Sequence, residues 1–299
     1  MNAHIKPEVF PFFEEDSNTF SYIVKDPSSD ACAIVDSVLD FDYASGQVSY
    51  DSADKIITCI KKNKLKLVYL IETHVHADHL SAAPYIQSIL GGKIGISKEI
   101  IVVQNEFGKL FNEGTEFERD GSQFDVLFDD EQTYKVGALE CRAIHTPGHT
   151  PACMAHLIGD AVFVGDTLFM PDGGTARADF PGGDAQILYR SIQKLLSLAD
   201  ETRMFVCHDY QPNGRELEYQ TTVLNQKKSN IHVNESMSES SFVEMREKRD
   251  RTLGMPRLIF PSLQANMRAG HFPKAEENKK VYLKVPISGL KAPLTHNNK

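Results

Sequence analysis

No stretch of the 299 residues approaches the roughly 20 consecutive apolar residues that a membrane-crossing helix needs, so a helical membrane span is excluded. No CxxC pair occurs. The five cysteines, Cys32, Cys59, Cys141, Cys153 and Cys207, are odd in number and scattered. That favours a reducing compartment over a disulfide framework. No dense Lys/Arg block is present. Lys and Arg number 32 against 41 Asp and Glu, a net charge of −9, so nucleic acid is not an expected partner. The opening MNAHIKPEVFPFFEEDS has no apolar run behind a basic start and is acidic rather than Arg-rich. It reads as neither a secretory signal nor a transit peptide, and a cytoplasmic protein is expected. No internal repeat or low-complexity segment is evident.

What remains is ordinary globular composition, 41% hydrophobic and 24% charged, in a chain long enough to bury a large core. Phe20–Val24 and Ala31–Asp36 are short β-rich runs split by the turn residues DPSSD. Ile56, Ile57 and Ile60 predict an amphipathic helix over Ser52–Lys62. Leu65–Ile71 is a buried-strand run, and Leu80–Leu90 reads as a helix stopped by Gly91-Gly92. From Phe124 to Val164 the chain is mostly β. Ala185–Leu198 and Glu216–Lys228 read as helices, with a short strand over Met204–Cys207. Two β-rich halves with interspersed helices predict two packed sheets with helices outside. After about Ile231 the character changes. Ser241-Phe242-Val243-Glu244 reads as a capping box opening a charged helix, and MPRLIFPSLQANMRAGHFP is too apolar for a disordered tail. Residues 1–232 are expected to form the catalytic domain, and 233–299 an extension packed on it.

The stretch THVHADH crowds His74, His76, Asp78 and His79 into one loop between a strand and a helix. Imidazole and carboxylate are ligands of zinc, iron and manganese, and His74 and His76, two apart, point the same way in an extended segment. Three further segments end apolar strands with a ligand type. His149 stands in HTPGHTP, Asp166 in VGDT and His208 in VCHDY. Each alone could be a turn residue or a satisfied core histidine. Together they form a metal-binding inventory, sufficient for one ion or for two. Alternation along the strand turns Cys207 away from His208, and all five cysteines are read as buried or incidental.

HVHADH, TPGHT, GDTLF and CHDY, taken in this order, resemble the metallo-β-lactamase superfamily over about residues 10 to 230. The resemblance implies an α+β protein, an αββα sandwich with its metal site at one edge of the two sheets. It places His74, His76 and His149 at a first metal, Asp78, His79 and His208 at a second, and Asp166 between them. ARADF, at Ala176–Phe180, and NMRAG, at Asn266–Gly270, resemble the persulfide dioxygenase branch. The loop between Gly108 and Phe124 and the segment HDYQPNGRE resemble bacterial β-lactamase-like hydrolases.

The dioxygenase branch implies one Fe(II) per chain on His74, His149 and Asp166, a two-His, one-carboxylate triad that leaves positions for substrate and O₂. His76, Asp78, His79 and His208 would then orient these ligands and line the open positions. The implied reaction takes glutathione persulfide, O₂ and water to sulfite and glutathione. The ligand inventory alone favours a dinuclear zinc hydrolase of glutathione thioesters, like glyoxalase II, or of lactones, and the resemblance of ARADF and NMRAG is what favours one iron. Glutathione carries two carboxylates, which makes Arg177 and Arg268 candidate contacts, although Asp179 is a natural ion-pair partner for Arg177. Tyr210 is a candidate hydrogen-bond donor to the substrate, with simple packing as its other reading. A homodimer is expected from the loop-rich tail.

Overall fold

The computed structural model describes residues 6–289. Two six-stranded sheets face each other. The first runs Glu8–Glu14, Thr19–Lys25, Ala31–Val35, Lys66–Ile71, Lys93–Ser97 and Val126–Phe128 in spatial order. Its first three strands are antiparallel neighbours, and the remaining three add in parallel. The second runs Thr133–Val136, Leu139–His145, Met154–Ile158, Ala161–Phe163, Arg203–Phe205 and Gln220–Thr222.

Seven α-helices cover the outside among the described residues: α1 Asp51–Lys62, α2 Ala83–Leu90, α3 Ile100–Leu110, α4 Ala185–Leu196, α5 Val223–Ser229, α6 Glu239–Asp250 and α7 Ile259–Asn266. None is long and apolar enough to cross a membrane.

The period-2 alternation of buried strands sorts side chains into layers. Tyr22, Val24, Ala33 and Val35 point between the sheets and meet Phe163 and Phe205. Ile23 and Ile34, one residue out of phase, point the other way and pack under Ile56 and Ile60 of α1. On the far face, Ile144, Val162 and Met204 of the second sheet pack under Leu188, Ile192 and Leu195 of α4. Three stacked cores between four layers make the αββα sandwich that the resemblance implied.

Local differences from the sequence reading have physical reasons. Leu80–Ser81 is a short strand paired to Val38–Leu39, so α2 begins only at Ala83, with Pro84 in its first turn. Gln220–Thr222 closes the second sheet, and the helix predicted from Glu216 starts at Val223, capped by the Thr222 hydroxyl. Helix α6 starts at Glu239 on a Ser238 cap. α3 was not anticipated.

The extension lies on both outer faces. Phe242 of α6 joins the core beneath α4, with its ring 5.5 Å from that of Tyr189. Leu263 and Met267 belong to the core under α1 and α2.

The two sheets are tied at both ends. At one end Phe20 N donates to Cys207 O at 2.7 Å and Tyr22 OH to Val206 O at 2.5 Å. At the other, buried Asp26 accepts from Ala138 N at 2.7 Å and from Ser28 and Ser29. Burial alone would raise this carboxyl, but these donors hold it down at about 2. Its ordinary value is 3.8, so the ionised form contributes about 2 kcal/mol above that value, lost as pH falls toward 2. Asp26→Asn is therefore expected to lower unfolding free energy by about 2 kcal/mol at neutral pH and to flatten its fall below pH 4. Urea unfolding of both forms across that range measures this. A variant with the same acid limb as the parent would contradict it.

Candidate metal centre

Every ligand-type side chain stands just past an apolar strand, and the sandwich brings those strand ends to one edge. Lys66–Ile71 leads into the loop bearing His74, His76, Asp78 and His79. Leu139–His145 leads to the turn bearing His149, Ala161–Phe163 to Asp166, and Arg203–Phe205 to His208. Gly148 explains the Pro-Gly turn. It has φ +131°, and a Cβ there would lie 2.3 Å from the Leu188 backbone. Only glycine lets this loop seat on α4.

Four groups of ligand atoms result among the described residues, one of them Asp36, Glu72 and His76. His74, His149 and Asp166 lie within 4.8 Å of one another, as do His76, Asp78 and His79, and likewise Asp166, Cys207 and His208. Asp166 belongs to two of them. Its Oδ1 is 3.2 Å from His208 Nε2, its Oδ2 is 3.6 Å from His149 Nε2, and Asp78 Oδ2 is 3.4 Å from His208 Nε2.

The outer nitrogens of these rings are spoken for. His149 Nδ1 donates to Arg177 O at 2.8 Å, and His208 Nδ1 to Asn18 O at 3.2 Å. A carbonyl only accepts, so each pairing puts the proton on Nδ1 and leaves Nε2 a lone pair. His76 is turned the other way, with Nε2 on Asp36 Oδ1 at 3.0 Å. What is left is diagnostic. Nε2 of His74, His79 and His208, Nδ1 of His76 and Oδ1 of Asp166 are buried with no hydrogen-bond partner. Buried polar atoms are paired in nearly all native structures. Five convergent exceptions fit a bound cation.

The charges agree. Burial opposes ionisation of Asp166, yet His208, His74 and His149 outweigh it and hold the carboxyl below the usual range. His208 is pushed up to about 9 by Asp166 and Asp78 despite its burial. Two carboxylates this close to one imidazole favour a positive charge there, and a metal ion takes the place of the proton.

Residues that the sequence reading passed over support the cluster. Asp36 is buried and left-handed at φ +52°. It accepts from Thr73 N and Thr73 Oγ1 at 2.8 Å and from His76. Thr73 Oγ1 in turn accepts from His74 Nδ1 at 3.0 Å. One carboxylate thus orients two imidazoles. The signal was available, since Asp36 closes the apolar strand Ala31–Val35 as Asp166 and His208 close theirs. Glu72 Oε2, 3.5 Å from His76 Nε2, adds a second carboxylate.

Two expectations are corrected. Cys207 does not turn away. Its thiol points to the floor of the cluster, 3.7 Å from Asp36 Oδ2, because the strand has ended at Phe205 and alternation no longer applies. Arg268 is not at the site. Its guanidinium pairs with Glu113 at 2.8 Å, lies 4.2 Å over Phe117 and donates to Gln264 O. It is a buried structural ion pair.

A cavity of about 460 Å³ opens beside the cluster, with Asp78, His149, Asp166, His208 and Tyr210 in its wall. Tyr210 is 57% exposed, its ring stacked 5.8 Å from that of His208. Arg177 also lines the cavity, but its fork is bound bidentately by Asp179 at 2.6 and 2.8 Å, and a third donor reaches Gly254 O. The ion pair is therefore present, and Arg177 meets the cavity partly neutralised.

An αββα sandwich carrying a histidine–aspartate cluster at one sheet edge defines a class of metal-dependent enzymes. A family model described as the metallo-beta-lactamase superfamily matches residues 15–208, and the chain belongs to that superfamily. It is 52% identical, over 93% of its length and 98% of the relative's, to a Burkholderia pseudomallei protein named "probable metallo-hydrolase". It is 45% identical, over 97% of its length and 100% of the relative's, to "glyoxylase B2" of Dictyostelium discoideum. It is 30% identical, over 86% of its length and 87% of the relative's, to the human "persulfide dioxygenase ETHE1, mitochondrial".

Asp36→Asn should leave the fold intact but weaken metal binding by roughly 10- to 100-fold, the usual cost of losing a carboxylate behind a ligating histidine. Metal content after dialysis against a graded chelator series measures it. Unchanged retention would show that Asp36 does not orient the ligands.

Proposed function

We propose that the chain is an iron-dependent persulfide dioxygenase acting on a small thiol persulfide, glutathione persulfide in the first instance. The observation that carries the reading is the convergence of His74, His149 and Asp166 beside the cavity. Two imidazoles and one carboxylate are the ligand set of non-haem Fe(II) oxygenases, which leaves positions for two further ligands. The relative named persulfide dioxygenase supports the same reaction.

Iron held there would supply electron transfer between the substrate sulfur and O₂. The balance is glutathione persulfide, O₂ and water giving glutathione and sulfite. The terminal sulfur is oxidised, the S–S bond breaks, and four electrons reduce O₂. The protein's own groups set the stage. His149 and His74 are fixed by their outer nitrogens and cannot swing away. Asp78 and His208 line the cavity 3.4 Å apart, where the Asp78 carboxylate can take the proton of the incoming persulfide. Phe169 and Phe180 give the cavity an apolar wall. Arg177, paired with Asp179 and 4.7 Å over Phe180, lines the cavity, where its remaining N–H donors can meet a substrate carboxylate.

A second reading has an observation of its own. His79 Nε2 is buried without a partner like His74 Nε2, and His208 Nε2 faces Asp166 and Asp78 at 3.2 and 3.4 Å, which favours a second ion and a dinuclear thioester hydrolase. The relatives named metallo-hydrolase and glyoxylase point the same way.

Oxygen uptake by Fe(II)-loaded protein on addition of glutathione persulfide separates the two. Uptake with stoichiometric sulfite is expected. Silence there, with a zinc form hydrolysing S-lactoylglutathione, establishes the hydrolase. In the same preparation His149→Ala should hold no iron and His208→Ala should retain most of it. Equal loss from both would make the site dinuclear.

A further inference from the structure

The loop carrying His74–His79 is held from outside the catalytic body, by a side chain 185 to 190 residues away. Asn266, the last residue of α7, is 4% exposed and points into this loop. Its Nδ2 donates to His76 O at 2.9 Å and to His79 O at 2.8 Å, and its Oδ1 accepts from Ser81 N at 2.8 Å. Both amide protons and the acceptor are used. The three contacts span the segment that holds His76, Asp78 and His79, which has no regular secondary structure to fix it.

The brace continues inward. Ser81 Oγ donates to Glu72 Oε1 at 2.6 Å, and the other oxygen of Glu72 faces His76 Nε2. The seat for Asn266 is built tightly. Ala269 and Gly270, just past α7, are both left-handed, and a Cβ on Gly270 would stand 2.8 Å from Ser81 O and 2.7 Å from Pro84. Only a bare backbone at that position lets α7 approach closely enough for a short amide to reach both carbonyls.

We propose that Asn266 is a positioning residue for the metal ligands, so that the extension after residue 232 is part of the metal centre rather than an appendage to it. The inference rests on reading the cluster as a metal site, but not on which reaction the site performs. A loop free to shift by an ångström at His76 and His79 no longer directs its unpaired nitrogens at a common point, and affinity depends on that convergence.

Gln264, two residues earlier on α7, is the control. It is also fully buried and also spends its amide on backbone, giving to Phe260 O and Lys284 O and accepting from Lys284 N, but it touches no metal-bearing loop. The probe is Co(II), titrated into metal-free full-length protein against a competing chelator, with its visible absorption as the readout and circular dichroism as the check of folding. Asn266→Ala is expected to weaken Co(II) binding at least about 10-fold and to change the band shape, while Gln264→Ala stays within about two-fold of the parent. Asn266→Asp keeps the volume and the acceptor for Ser81 but loses the donors to the two carbonyls. It should show the same weakening in a side chain of unchanged size. Parent-like Co(II) binding by both Asn266 variants overturns the proposal, and so does an equal loss in Gln264→Ala, which would mean that α7 acts only through stability. None of these results depends on whether O₂ or a thioester is the substrate, so a failed oxygen assay leaves the inference standing.

Discussion

Five buried nitrogen and oxygen atoms without partners converge at one edge of this sandwich, and the surrounding structure is arranged to hold them there. Without a bound cation, each such atom would cost about 1–3 kcal/mol. Together they approach the whole net stability of an ordinary domain, about 5–15 kcal/mol. A structure keeps such a cluster only where everything behind it is over-determined. The outer face of each ring is accordingly fixed: His149 by the Arg177 carbonyl, His208 by Asn18, His76 by Asp36, and His74 by Thr73. The three cores, the hydrogen bonds between Phe20 or Tyr22 and the strand end at Val206–Cys207, and the two helices of the extension converge on that edge.

Much of this was legible in the residues, because strand ends advertise themselves. An apolar run that stops at a His or Asp places that side chain at a sheet edge whatever the tertiary details. That rule located His149, Asp166 and His208 from the segments HTPGH, VGDT and VCHD. It would have located Asp36 as well, had it been applied evenly to the strand Ala31–Val35. The sandwich followed from alternation, since Tyr22 and Ile23 sort to opposite faces only if the strand is covered on both.

What was not legible depended on meetings across long sequence separations. Nothing in the sequence tells Arg268 that Glu113 and Phe117 will close over it, or Arg177 that its fork is shared between Asp179 and Gly254. Cys207 was misjudged because strand alternation was carried two residues beyond the last paired residue. Asn266 sat inside a segment singled out by resemblance, yet its partners, two backbone carbonyls, leave no trace in composition or pattern.

The order of these residues along the chain has a consequence for biosynthesis. His74, His76, Asp78 and His79 are made first, but Asp166 and His208 come a third and nearly half of the chain later, and Asn266 near the end. Long-range contacts of this kind form late, and during synthesis the N-terminal half emerges without its partners. A nascent chain stalled at residue 150 would display His74, His76, Asp78 and His79 on a loop that still lacks its Asn266 brace. The loop therefore gains its full set of braces only once the segment carrying Asn266 has been synthesised.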